Sequence, residues 1–269
     1  MNSKAIKRQL LAAIAMVLVA AIALGSSTYA WFVSNNSVKA TVSTISAQSN
    51  SPFLKITSGT GTIGADTGTS YSYALDGDSA IDNKALYPVQ AIKWENKAVS
   101  WQSAYSDTDP DTATEQTGTR FNVPSGKEDS YRLLESFKIG TDGTTDGTFS
   151  NLVVESVSIN NTTSSQLTSA LRLLVVCGDN AVVLNNEGKI VTTYVTTAED
   201  ASTIIGVKGT AGADAKTVTL ADAITKGASV QVDVYVYYDG ADAKVTTSNL
   251  SNLKEIGATI TFTATADNI

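Results

Sequence analysis

The stretch Val230–Tyr238, VQVDVYVYY, alternates with period two: Val230, Val232, Val234 and Val236 fall on one side, Gln231, Asp233, Tyr235 and Tyr237 on the other. Successive side chains of an extended chain point to opposite faces, so this pattern is a strand with one face turned to a core. Ala258–Ala264 repeats it, with Ala258, Ile260, Phe262 and Ala264 opposed to Thr259, Thr261 and Thr263. Working outward, Ser37–Ile45 places Val38, Ala40 and Val42 on one face, and the phase slips at Thr44–Ile45, the mark of a bulge or a strand end. Leu152–Ile159 alternates around Glu155, and Leu171–Cys177 is nearly all apolar, as in a strand covered on both faces. Tyr131–Ile139, Ala181–Leu184 and Lys189–Val195 add further strands. Asp142-Gly143, Asp146-Gly147 and Asp239-Gly240 are turn dipeptides, and Asn185–Gly188 is a hairpin loop. Helix is suggested only at Leu220–Ile224 and Ser164–Ser169; the polar stretches Gly59–Ser72 and Ser103–Thr119 read as surface loops or insertions. Many short strands with hairpin turns predict an all-β, antiparallel β-sandwich forming one domain over residues 31–269.

Composition narrows the function. The chain has 269 residues, with 19 Lys+Arg against 26 Asp+Glu, a net charge of −7. Three of the basic residues, Lys4, Lys7 and Arg8, lie in residues 1–30; without them 16 basic face 26 acidic residues, a net −10. Attraction to phosphate needs clustered Lys and Arg, so no nucleic acid is expected as a partner. There is no histidine, which removes the usual general base at neutral pH and the commonest zinc ligand. Serine and cysteine catalysis through a histidine is thereby excluded, as is the His-Glu-x-x-His zinc motif. Cys177, the one cysteine, cannot form an intrachain disulfide and reads as a buried, inert thiol.

The first thirty residues read as a signal peptide with a hydrophobic helix. Basic residues come first, then the uninterrupted apolar run Leu10–Leu24, then the small residues of Gly25–Ala30. Thr28 and Ala30 occupy the −3 and −1 positions of a cut before Trp31, and Ala23 and Gly25 offer a second cut before Ser26. The alternative is a retained membrane helix of the pilin type, continuing to Val33; the apolar run before Gly25 has 15 residues against the roughly 20 needed to span. Either way the bulk of the chain is expected outside the cytoplasm. Ile269 is preceded neither by a Leu-Pro-x-Thr-Gly sorting motif nor by an apolar tail, so covalent wall attachment has no support.

Around the cut, Thr28-Tyr29-Ala30-Trp31-Phe32 followed by Asn35–Ile45 resembles the TasA/camelysin family, exported proteins of Gram-positive bacteria with SipW-type signal peptides. The terminal strands Val230–Gly240 and Ile256–Ala266 are similar as well, while residues 59–130 match nothing in the pattern. The resemblance implies a jelly-roll-like sandwich and a secreted subunit of a biofilm matrix fibre. Its partners would be itself, as a homopolymer, an accessory or anchoring subunit, and signal peptidase. Assembly would run through strand donation, with Val38, Ala40 and Val42 of strand 37–45 as donor side chains and Trp31 and Phe32 adding apolar burial. The same segment reads equally as the first strand of its own domain.

Two other constellations stand beside this reading. Asp107, Asp109 and Asp111 alternate as Ca²⁺ ligands do, but Thr112 replaces the position-6 glycine and Gly118 stands where an EF-hand needs its bidentate Glu. A solvated acidic loop is the simpler reading, and no metal or cofactor is expected. Tyr235, Tyr237 and Tyr238, with Trp94 and Trp101, form either the aromatic face of an adhesin or matrix-binding module, or a core stripe. Camelysin-type proteins have been classed as metallopeptidases, but carboxylates without histidine make a poor catalytic zinc site, so no enzyme is expected.

Overall fold

The computed structural model describes residues 44–49, 54–73, 86–95, 98–105, 116–143, 148–161, 164–191, 208–240, 242, 244–245 and 256–267. Its strands are β1 (Thr44–Ser49), β2 (Lys55–Ser58), β3 (Ser70–Tyr73), β4 (Gln90–Glu95), β5 (Ala98–Tyr105), β6 (Gln116–Asn122), β7 (Arg132–Gly140), β8 (Thr148–Asn161), β9 (Leu171–Cys177), β10 (Asn180–Leu184), β11 (Ala221–Ile224), β12 (Ser229–Tyr238) and β13 (Ile256–Asp267). The described helical turns are short 3₁₀ pieces. The protein is all-β and sandwich-like. One sheet runs β11-β8-β13-β1-β3, a second β10-β9-β12-β7-β2, and a third β4-β5-β6.

The two five-stranded sheets turn their apolar faces to one core. From the first come Ile45, Ala47, Leu152, Val154, Ile256, Ala258, Ile260 and Phe262; from the second, Phe137, Ile139, Leu173, Val175, Val232, Val234 and Val236. The Phe137 ring meets Tyr71 of the first sheet edge-on, with centroids 6.2 Å apart at 75°. Burial of a Phe-sized side chain contributes roughly 1.5–3 kcal/mol. Close approach at the sheet end demands glycine: a Cβ on Gly140 would collide with the Ala228 carbonyl and Ser229. The Asp142-Gly143 turn is present, with Gly143 at φ +77°.

The alternating segments Val230–Tyr238 and Ala258–Ala264 and most other strands expected within the described residues are present, with four differences; residues 37–43 of the expected first strand lie outside the described residues. Leu220–Ile224 is not helical: Ala221–Ile224 is strand β11, drawn onto β8 by the ladder Ala221↔Leu152, Ala223↔Ser150, Ile224↔Phe149. The polar stretches Gly59–Ser72 and Ser103–Thr119 are not merely loops, since they supply most of β3, the end of β5 and the start of β6. The first sheet is not wholly antiparallel, because β1 runs parallel to β13 from Thr44↔Gly257 to Ser49↔Phe262. Lys189 and Ile190 make only isolated bridges, to Asp214 and Leu184, rather than a strand.

The third sheet lies against the outer face of the second. Trp101 of β5 packs on Tyr235 at 5.6 Å and Tyr237 at 5.1 Å between ring centroids. The Val89 N–H donates to Tyr238 O (2.9 Å), and the Gly240 N–H donates back to Val89 O (3.2 Å). Two edges of the second sheet are covered, which blocks uncontrolled pairing. Over β10, the Val191 N–H donates to Val183 O (2.9 Å) and the Lys208 N–H to Ala181 O (2.9 Å). Over β2 lies the loop at residues 59–68. Lys55 Nζ holds it by donating to Gly64 O (3.0 Å) and Ala65 O (2.6 Å), while its charge meets Asp142 Oδ2 at 2.6 Å.

Candidate functional site

The residues expected to mark signal cleavage, Thr28, Ala30 and Trp31, lie outside the described residues, as do the donor side chains Val38, Ala40 and Val42. The acidic run Asp107, Asp109 and Asp111 also lies outside them. What is described is β1, the strand that follows residues 38–43 in the sequence. β1 sits between β13 and β3, parallel to the first and antiparallel to the second. Ile45 and Ala47 point into the core and are each 1% exposed. On the other face Ser46 Oγ and Thr259 Oγ1 share a hydrogen bond of 3.0 Å, and Gln48 Nε2 donates to Thr261 Oγ1 at 2.9 Å.

No hairpin fixes β1 to either neighbour. Its partner β13 is 213 residues away along the chain, and β2, in the other sheet, intervenes before β3. Backbone ladders, two apolar side chains and the two side-chain hydrogen bonds hold β1 in its place. The phase matters. Ile45 and Ala47 are odd-numbered, whereas Val38, Ala40 and Val42 are even. An uninterrupted strand from Val38 to Ser49 would turn those three away from the core that Ile45 and Ala47 enter.

The aromatic stripe is not an open binding face. Tyr235 is 7% exposed, Tyr237 is fully buried and Trp101 is 3% exposed, so these rings form the seam between the second and third sheets, while Tyr238, on the Val236 side of β12, is fully buried in the core. The Trp94 side chain lies outside the described residues. Arg132 stacks over Tyr235 with its guanidinium carbon 5.6 Å from the ring centre. Burial, then the nearby Asp239 charge, pushes the Tyr237 hydroxyl far above its ordinary pKa. Cys177 is buried, and burial followed by the Asp233 charge raises its thiol to about 11. Among the described residues no group of three or more His, Cys, Asp or Glu side chains is placed to hold a metal ion.

Sequence reading passed over Glu135. It takes an inward position of β7 between Leu133 and Phe137, opposite buried Val234, and burial raises its carboxyl pKa to about 7. The signal was present in Leu133-x-Glu135-x-Phe137-x-Ile139, where a carboxylate interrupts an apolar face. Comparison with protein-family profiles, curated proteins and solved structures gives no match.

Proposed function

We propose that the chain is an exported structural protein, a subunit of an extracellular or cell-surface filament of the biofilm-matrix kind, assembling by strand donation. The observation that carries this reading is the phase change at β1. The core takes Ile45 and Ala47, and the even-numbered set Val38, Ala40 and Val42 just before them needs an apolar surface of its own. A neighbouring subunit can supply that surface, with backbone hydrogen bonds adding affinity and the alternate side chains fixing register.

A jelly-roll-like path is favoured by the way β7 to β13 weave between the sheets. β7, β9, β10 and β12 lie in the second sheet, β8, β11 and β13 in the first, and only the β9–β10 connection stays within one sheet. Seven strands of an eight-strand jelly roll would follow this course, and β1 takes the eighth place beside β13, in parallel orientation. Export is supported by the basic, apolar and small segments of residues 1–30. The absence of histidine from the chain agrees with a structural role.

The test is deletion of residues 34–43, which spares both the Trp31 boundary and β1. Negative-stain microscopy of the secreted product should show filaments for the native chain and folded single subunits for the deletion. Unchanged filaments in the deletion variant would refute strand donation.

A further inference from the structure

Buried polar atoms in a folded protein are nearly always hydrogen-bonded, so each exception calls for a reason. Among the described residues three buried side-chain atoms have no partner: Tyr237 Oη, Gln90 Oε1 and Arg132 Nε. None of them lies between the two five-stranded sheets. All three lie along the seam with the third sheet. Tyr237 is fully buried under Trp101, at 5.1 Å between ring centroids. Gln90, the first residue of β4, is 3% exposed and directs its amide donor to Asp239 Oδ1 (3.3 Å), two residues beyond Tyr237. Arg132 stands opposite Tyr237, stacks over Tyr235 and donates from Nη1 to Asp129 Oδ1 (2.6 Å).

The third sheet is slight. Among the described residues β4, β5 and β6 pair only with one another, and both ladders carry a register shift, at Ala91/Lys93 and at Ser103/Tyr105. The backbone tie to the second sheet falls at its root, where the Val89 N–H donates to Tyr238 O and Val89 O accepts from the Gly240 N–H. Beyond the root, rings meet rings: Trp101 lies on Tyr235 and Tyr237. Three short, irregular strands need such a surface in order to persist. Ring burial favours closure, while the three unpaired groups oppose it, since each regains water once the sheet departs. β12 keeps its ladders to β7 and β9 in that event.

We propose that the third sheet is a cover that separates from β12 and β7 and unravels as one unit while the sandwich stays closed, with the unpaired groups of the seam setting how often it does so. Separation joins Leu134, which stands opposite Tyr235 and is already 37% exposed, to Tyr235 and Tyr237 in one apolar strip edged by Arg132. The chain thus carries an aromatic face that the closed state hides. The device needs no second copy, and it stands whether or not the chain assembles.

Hydrogen exchange of the full-length protein, read by mass spectrometry on its peptides, tests this. Amides of β4, β5 and β6 should exchange together, about a hundredfold faster than those of β7, β9 and β12. Tyr237→Phe keeps the ring and removes the unpaired hydroxyl, and it should slow exchange across all three strands about tenfold. Val182→Ala, in the core of β10 and away from the seam, should speed exchange in β9 and leave β4, β5 and β6 untouched. Protection of β4–β6 equal to that of β12, or β4–β6 exchange that rises with β9 in Val182→Ala, would make the seam part of the sandwich core and overturn the cover. Exchange in Tyr237→Phe as fast as in the native protein, or faster, would show that the hydroxyl is satisfied in solution and overturn the unpaired groups as what sets the opening.

Discussion

Replacing Glu135 with glutamine should stabilise the protein at neutral pH and leave it unchanged in acid. The carboxyl pKa is raised from 4.5 to about 7 by burial. A raised carboxyl pKa means that the folded state holds its proton more tightly than the unfolded chain. Stability is therefore greatest below the unfolded value, falls as pH rises from about 4.5 to about 7, and is flat above that. A shift of this size has a ceiling of about 3 kcal/mol, and because the group is only half-buried, solvent screening reduces it to about 1–2 kcal/mol. The assay is urea unfolding of native and Glu135→Gln proteins from pH 5 to pH 8.5, followed by tryptophan fluorescence. Comparing the two proteins at each pH cancels opposing contributions such as Asp214, whose pKa is lowered by its hydrogen bond from Lys189 and by that residue's charge. The variant's advantage should grow through the interval and then level off. A difference that stays constant across the range would refute the account, because it would owe nothing to the titration of Glu135.

Trp101→Ala should cost about 3–5 kcal/mol by opening a cavity over Tyr235 and Tyr237. Denaturant unfolding measures it, and a loss below about 1 kcal/mol would mean that the third sheet does not depend on this seam. Lys55→Met leaves the Asp142 carboxylate, whose side chain is 5% exposed, without its cation and should destabilise the fold by about 3 kcal/mol. Combining it with Asp142→Leu should recover most of that loss; an equal or larger loss in the double variant would show that the ion pair is not the source.

The readable parts of the sequence were those whose burial is decided locally. β13 and the first half of β12 each have a drier and a wetter face, so alternation exposed both strands, although the third sheet buries Tyr235 and Tyr237 on the outer face of β12. β11 misled because four residues, Ala-Asp-Ala-Ile, carry no period of their own; pairing with β8, and the Leu220 N–H donating to Leu152 O at 2.7 Å, overrides their weak strand preference. The third sheet was hidden for a related reason. Its strands mix polar and apolar residues without a clear period, and what anchors it is Trp101 meeting tyrosines more than a hundred positions later. The phase slip at Thr44–Ile45 was visible, yet its meaning was not: it marks where the core phase of β1 begins.

The pairing of β1 with β13 has a consequence for the order in which the molecule can form. β13 is the last described strand of the chain, yet it stands in the middle of the first sheet, joining β8 and β11 on one side to β1 and β3 on the other. Until residues 256–267 are free to pair, that sheet remains two separate fragments, and closing it spans more than two hundred residues of sequence. Contacts of such separation make folding slow, since the entropy of closing the loop is lost before the ladder forms. Whatever the second sheet forms earlier, the first sheet and the core it shares are therefore completed only when residues 256–267 join.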